Sequence, residues 1–253
     1  MKRYLIKIIL LFVLLASLAF PSNVNELMQK GNEYYKNNQF QLAIDEYNKL
    51  VNEGYEGASL YYNLGNAHYR LGNVGYAILY YEKALKLSPS DEDAKHNLAI
   101  AKLNIKDKVD ELPQFFIFNI WEGLLASFSV SGWTMIVYII FILLLLAVIG
   151  YFFSRSVTQQ RISFFMGVGL LVLLFSSISL LAVKMNKEFN INNGVIVENV
   201  VTVKSSPDSS SKDEFVIHEG LKVRLEDKVD EWVKIRLADG KIGWIEEISI
   251  QII

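Results

Sequence analysis

Residues 61–89 read YYNLGNAHYRLGNVGYAILYYEKALKLSP, and residues 27–55 read LMQKGNEYYKNNQFQLAIDEYNKLVNEGY. A shift of 34 residues superposes Gly31-Asn32 on Gly65-Asn66, Tyr35 on Tyr69, Ala43 on Ala77 and Tyr47 on Tyr81. Recurrence at such a period marks stacked helical units that share a core. Gly31 and Gly65 in the first helix of each unit, with Ala43 and Ala77 in the second, let paired helices approach, and the large residues fill what is left. Leu71-Gly72-Asn73 makes the turn within the second unit, and Pro89 ends its second helix. The recurrence predicts a helical domain over 22–111, with repeats at 24–57 and 58–91 and a capping helix at 92–106 that offers Asn97-Leu98 at matching positions.

The second copy carries Tyr61, Leu64-Gly65, His68, Ala77, Tyr81, Ala84 and Pro89. It resembles the tetratricopeptide repeat, with His68 where that family usually has tyrosine. The first copy keeps Leu27, Gly31, Tyr34, Ala43 and Tyr47 but has Lys30 and Tyr55 in place of the usual leucine and proline. The resemblance implies an all-α solenoid whose concave face is lined by the first helix of each pair. Carried over, that groove comprises Asn32, Tyr35 and Lys36, then Asn63, Asn66, Tyr69 and Arg70, with His96 and Asn97 in the cap. Asn32 and Asn66 suit an extended peptide backbone, and Lys36 and Arg70 suit a carboxylate. The competing reading is a solvated polar face. Two repeats and a cap are short for this architecture, so self-association or a docked partner is expected to complete it.

Charge is distributed unevenly along the chain. Residues 113–187 carry only Glu122, Arg155, Arg161, Lys184 and Lys187 as charged side chains. Within this stretch, 133–153 and 162–183 are free of charge, and at 1.5 Å per residue each reaches roughly 30 Å, the thickness of the hydrocarbon layer. They predict a two-helix transmembrane hairpin with a cytoplasmic loop at 154–161, where Arg155 and Arg161 follow the positive-inside rule. Neither span holds an ionisable residue, so an anchor is expected rather than a proton or ion path. At the N-terminus, Lys2, Arg3 and Lys7 precede an apolar run and Ala16-Ser17-Leu18-Ala19, which predicts a signal peptide over 1–19; an uncleaved anchor is the alternative. Either version exports the repeats behind it. Residues 112–132 read as a juxtamembrane amphipathic segment, rich in Phe and Trp but without the basic face usual for such helices.

From Gly194 onward the apolar period becomes two: Val195 and Val197, Val201 and Val203, Leu221, Val223 and Leu225, Val233, Ile235 and Leu237. Short strands follow from that alternation, with turns at Glu219-Gly220 and Asp239-Gly240. Val203-Lys204-Ser205-Ser206-Pro207, Glu231-Trp232-Val233-Lys234-Ile235 and Gly243-Trp244-Ile245 around those turns resemble the bacterial SH3-like barrel, which places an all-β module at 190–253. Ser206 departs from the glycine common before that proline. Trp232 and Trp244 can line a peptide groove, because rings offer stacking area at little entropic cost; the alternative puts them partly in the core.

The chain of 253 residues has 52% apolar residues, a net charge of -2 and no cysteine. That excludes disulfides, thiolate zinc sites and a cysteine nucleophile, and nothing in the charge balance suggests nucleic-acid binding. His68, His96 and His218 stand apart, so neither a metal nor a cofactor is expected. Without a nucleophile–base pair, a metal cluster or a phosphate loop, an enzyme is not expected either. The order signal, repeats, membrane hairpin and SH3-like module resembles the BatE family of the Bacteroides aerotolerance system. That resemblance implies a multidomain protein of the bacterial inner membrane with both soluble modules in the periplasm. It also implies protein partners, namely the von Willebrand A domain membrane proteins of a Bat operon, besides membrane lipid. Two functions fit these readings: a scaffold holding partner proteins, or an envelope sensor whose barrel binds cell-wall peptide, making peptidoglycan a further ligand.

Overall fold

The computed structural model describes residues 22–109, 115–190 and 193–253. The expected signal peptide at 1–19 and the start of the juxtamembrane segment lie outside the described residues. Two compact units divide the chain, the first ending at Glu56 and the second running from Gly57 to Ile253.

In the first unit, α1 (Ser22–Lys36) and α2 (Phe40–Asn52) form a hairpin. Its turn puts Asn38 at φ +59°, a conformation asparagine tolerates better than most residues. Ala43, Tyr47 and Leu50 are buried. The Tyr47 ring lies so close to Gly31 that a Cβ there would sit 2.7 Å from Cδ1. Glu46, buried on α2, receives Lys30 at 2.9 Å and Lys49 at 2.8 Å. Hydrogen bonds from Lys49 and Lys30 hold its carboxyl below the usual range.

The second unit begins with α3 (Ala58–Arg70) and α4 (Val74–Leu87), which repeat the same construction. Gly72 turns the chain at φ +81°, where a Cβ would be penalised. Gly65 lies against the Tyr81 ring, with a would-be Cβ only 2.6 Å away. Helix α5 (Glu92–Lys102) starts at Asp91, whose Oδ1 accepts from the Ala94 amide at 3.0 Å; this is a side-chain N-cap. It buries Ala94, Leu98 and Ala101, the last two in a cluster with Ala77, Ile78 and Tyr81.

Helices α6 (Phe116–Ala126), α7 (Val130–Phe153) and α8 (Val157–Asn190) come next. Two of them, α7 and α8, are long and apolar enough to cross a membrane, and their apolar windows are almost wholly unburied by the protein. Small residues set their contact: Ala147 is buried, and a Cβ on Gly167 would meet it at 3.9 Å. Both helices run past the uncharged stretches that predicted them, because backbone hydrogen bonding does not stop where hydropathy falls. Arg161 and Lys184 are therefore helical, and the connection shrinks to 154–156.

Strands β1 (Asn193–Ile196), β2 (Val200–Lys204), β3 (Asp213–His218), β4 (Lys222–Val229), β5 (Trp232–Arg236), β6 (Ile242–Glu246) and β7 (Ile250–Ile252) pair antiparallel in the order β3-β2-β6-β5-β4-β1-β7. The expected alternation holds, since β5 buries Val233 and Ile235 while β2 buries Val201 and Val203. The expected barrel closure does not. Closure needs the outer strands to exchange hydrogen bonds, whereas β7, three residues long, pairs with β1 and β3 pairs with β2. The module is an open antiparallel sheet whose inward residues, from Ile196 to Ile250, form one core cluster.

That sheet docks on the second repeat and its cap. Val195 of β1 belongs to the α4–α5 cluster, with Ile105 and Ile253 packed against it. The Gly75 amide in the first turn of α4 donates to Glu219 Oε2 at 3.0 Å. A carboxylate from the distant turn thus satisfies a helix N-terminus whose own N-cap, Asn73, makes no capping hydrogen bond. Glu82 of α4 receives Lys102 at 2.9 Å and Lys222 of β4 at 2.8 Å. Burial raises the Glu82 carboxyl, but the Lys222 and Lys102 ammoniums outweigh it and hold the group below the ordinary range. Beyond the cap, Asp107 accepts from the His218 amide at 2.5 Å and faces its Nδ1 at 2.9 Å.

Candidate interaction faces

The first-unit groove residues lie on α1. Asn32 Oδ1 accepts from Tyr47 Oη at 2.7 Å, Tyr35 meets the Phe40 ring edge-on at 5.3 Å, and Lys36 is exposed. In the second unit the same bond recurs between Tyr81 Oη and Asn66 Oδ1, again at 2.7 Å. Asn66 Oδ1 also accepts from Asn97 Nδ2 at 2.9 Å, and Asn97 Nδ2 reaches Tyr62 Oη at 3.1 Å. The structure therefore brings Asn66 and Asn97 together as a polar link between α3 and α5. Their oxygen and amide groups hold the stack. Asn63 is half-buried on the same helix, Tyr69 Oη accepts from Asn104 Nδ2 at 3.4 Å, and Arg70 and His96 are exposed.

Spacing alone pointed Asn32 and Asn66 at a ligand. Tyr47 and Tyr81, 15 residues downstream in the two copies, donate to them, a recurrence that the sequence displays. Also missed was the role of His68. Its ring is buried between Tyr76, at 5.0 Å, and Tyr80, at 5.4 Å, stacked nearly parallel to both. Burial lowers its pKa to about 4, so the imidazole is neutral at pH 7. Below the unfolded value of about 6.5 the unfolded chain binds the proton more readily, so stability is present above that value and drains away as pH falls toward 4. The expected loss is about 2 kcal/mol at pH 5. Urea midpoints at pH 7 and pH 5 check it, and His68→Phe should remove most of the difference. An equal pH response in that variant would rule His68 out as its source.

On the sheet, Trp232 and Trp244 are half-buried, and neither joins the core cluster. Trp232 lies opposite Glu246 and Trp244 opposite Lys234. The rings are thus diagonal neighbours on the side of β5 and β6 away from Val233, Ile235 and Ile245, close enough for two large side chains to form one surface. Long-range partners supplied by the fold, Glu219 and Asp107 among them, carried no local signal.

Residues 28–92 match the family model described as Tetratricopeptide repeat. No curated protein matches the chain. The match runs from within α1 to the first residue of α5, and repeats of this kind make the region a protein–protein interaction module.

Proposed function

We propose that this chain is a non-enzymatic scaffold, anchored in the bacterial inner membrane by α7 and α8, that presents its repeats and its SH3-like sheet to partner proteins in the periplasm. The observation that carries this reading is the pairing of a tetratricopeptide match with two apolar helices. The partners proposed are the von Willebrand A domain membrane proteins of a Bat-type envelope complex linked to aerotolerance. Arg70 at the end of α3 and His96 on α5 are exposed polar groups at groove positions, suited to a partner carboxylate. Asn66 is a poor probe, because its removal also breaks the link to Tyr81 and Asn97. Crosslinking in native membranes followed by mass spectrometry identifies what is held. Replacing Arg70 and His96 with alanine is expected to lower that capture at least about tenfold, since a charge-assisted hydrogen bond contributes about 1.5 to 3 kcal/mol. Capture at undiminished yield removes this face from consideration.

Orientation has its own test, made simple by the absence of cysteine. Single cysteines at Ser90 and Ser210 should both react with an impermeant maleimide once the outer membrane alone is permeable. Labelling of one and not the other contradicts the arrangement. A second reading, an envelope sensor, draws on the paired Trp232 and Trp244 surface, which suits a cell-wall peptide. It requires cosedimentation of the chain with peptidoglycan and loss of that binding in Trp244→Ala.

A further inference from the structure

Helix α6 exposes nearly all of its large apolar side chains, Phe116 at 71% and Ile120 at 66% among them. Its polar and small residues, Asn119, Glu122, Gly123 and Ala126, recur at the i, i+3, i+4, i+7 spacing that makes one stripe of a helix. Asn119, Glu122 and Ala126 line a cleft of about 910 Å3. The stripe is pinned there, because Glu122 pairs with Lys187 of α8. Only residues 127–129 separate α6 from α7, and Trp133 Nε1 donates back to the Leu125 carbonyl at 3.4 Å. A helix so tethered to a membrane span lies at that membrane's surface with its apolar side toward lipid.

The rest of the cleft is cationic. Six basic side chains line it against three carboxylates. Lys184 and Lys187 stand just past the uncharged run of α8, at the level where that helix leaves the hydrocarbon. Lys222 and Arg224 come from β4, which pairs with β1, and they line the same cleft as the two α8 lysines. Lys184 contacts Glu188, Lys187 contacts Glu122 and Lys222 contacts Glu82. An ammonium carries three donors, so each retains donors for an anion. Lys86 donates to the Ile253 carbonyl at 3.0 Å. Arg224 is exposed and has no ion pair among the described residues.

We propose that this cleft binds the phosphate of an anionic phospholipid, whose acyl chains lie along α6 and the α7–α8 hairpin. The inference rests on the membrane-anchor reading above. Lipid is favoured over a free anion because the cationic lining adjoins an exposed apolar helix, which a soluble phosphate cannot use. The test titrates the detergent-purified full chain with phosphatidylglycerol or phosphatidylcholine of identical acyl chains and reads bound lipid by native mass spectrometry. Phosphatidylglycerol should bind at least tenfold more tightly, and Arg224→Gln with Lys187→Gln should abolish that preference. Arg224→Gln alone, at an exposed position, should reduce it and keeps the test readable if the double variant misfolds. Equal binding of the two lipids, or an unchanged preference in both variants, overturns the proposal. Displacement by inorganic phosphate at equal concentration also overturns it and assigns the cleft to a soluble anion. Carbonate extraction separates the two readings. A chain washed out of membranes refutes the anchor, whereas a retained chain without headgroup preference refutes the lipid site alone.

Discussion

Tyr81→Ala is expected to destabilise the second repeat by about 3 to 5 kcal/mol, the cost of deleting a buried aromatic ring from a site that cannot collapse. Tyr81 is 1% exposed, and its ring occupies the space over Gly65 that any larger residue would fill. The helices α3 and α4 are spaced by that ring, so its loss leaves a cavity between two backbones. The hydroxyl is a smaller matter. Tyr81→Phe removes the 2.7 Å bond to Asn66 but leaves Asn97 to donate to the same oxygen, and should cost about 1 kcal/mol. Tyr47→Phe in the first unit breaks the equivalent bond to Asn32 and should cost a similar amount. Urea unfolding followed by helical circular dichroism measures all three. If Tyr81→Ala lies within error of Tyr81→Phe, the ring does not space the repeat.

The same residues show which parts of the fold were legible. Gly31 with Tyr47, and Gly65 with Tyr81, are each contacts within a single hairpin, and the 34-residue recurrence displays the pairing once in each copy. The two apolar helices were legible because composition alone defines them, though not their ends, which backbone hydrogen bonding extended to Asn190. Strand alternation was legible for the same local reason. Closure of the sheet was not, since it depends on whether β3 and β7 meet, a long-range outcome that no window of sequence encodes. The repeat-to-sheet docking was half visible. Gly75 stands where the first copy has Gln41, a glycine inside a helix that costs propensity and so signals a close approach. The backbone it admits is the Ile196 carbonyl, 2.7 Å from a would-be Cβ, and nothing local identifies that partner. At the candidate groove the face was legible and the bonds were not: spacing put Asn66 on α3's polar side without showing that Tyr81 and Asn97 already use its oxygen.

Gly220→Val should undock the sheet from the second repeat, at a cost of about 3 to 4 kcal/mol. Two effects combine there. The backbone sits at φ +85°, a left-handed conformation that costs a residue with a Cβ about 1 to 2 kcal/mol. The added carbon would also fall 2.9 Å from Ile78 Cδ1 and closer still to Ile105, and overpacking of this kind costs about 1 to 3 kcal/mol. Neighbouring bonds share the disturbance, because the Gly220 amide donates to the Ile196 carbonyl at 2.8 Å and Glu219 holds the Gly75 amide. The sheet's own cluster, from Ile196 to Ile250, does not pass through Gly220. Damage should therefore fall on the joint rather than on the sheet. Tryptophan fluorescence reports the sheet through Trp232 and Trp244 once Trp121 and Trp133 are replaced by phenylalanine, and circular dichroism reports the helices. With Gly220 in place, the two signals should change at one temperature. In Gly220→Val they should separate, with the helical signal lost first because α4 no longer has Glu219 at its N-terminus. Gly220→Ala, lacking the branched carbons, should fall between. Coincident transitions at an unchanged temperature in Gly220→Val would mean that the Glu219-Gly220 turn rests against the repeat without coupling it to the sheet.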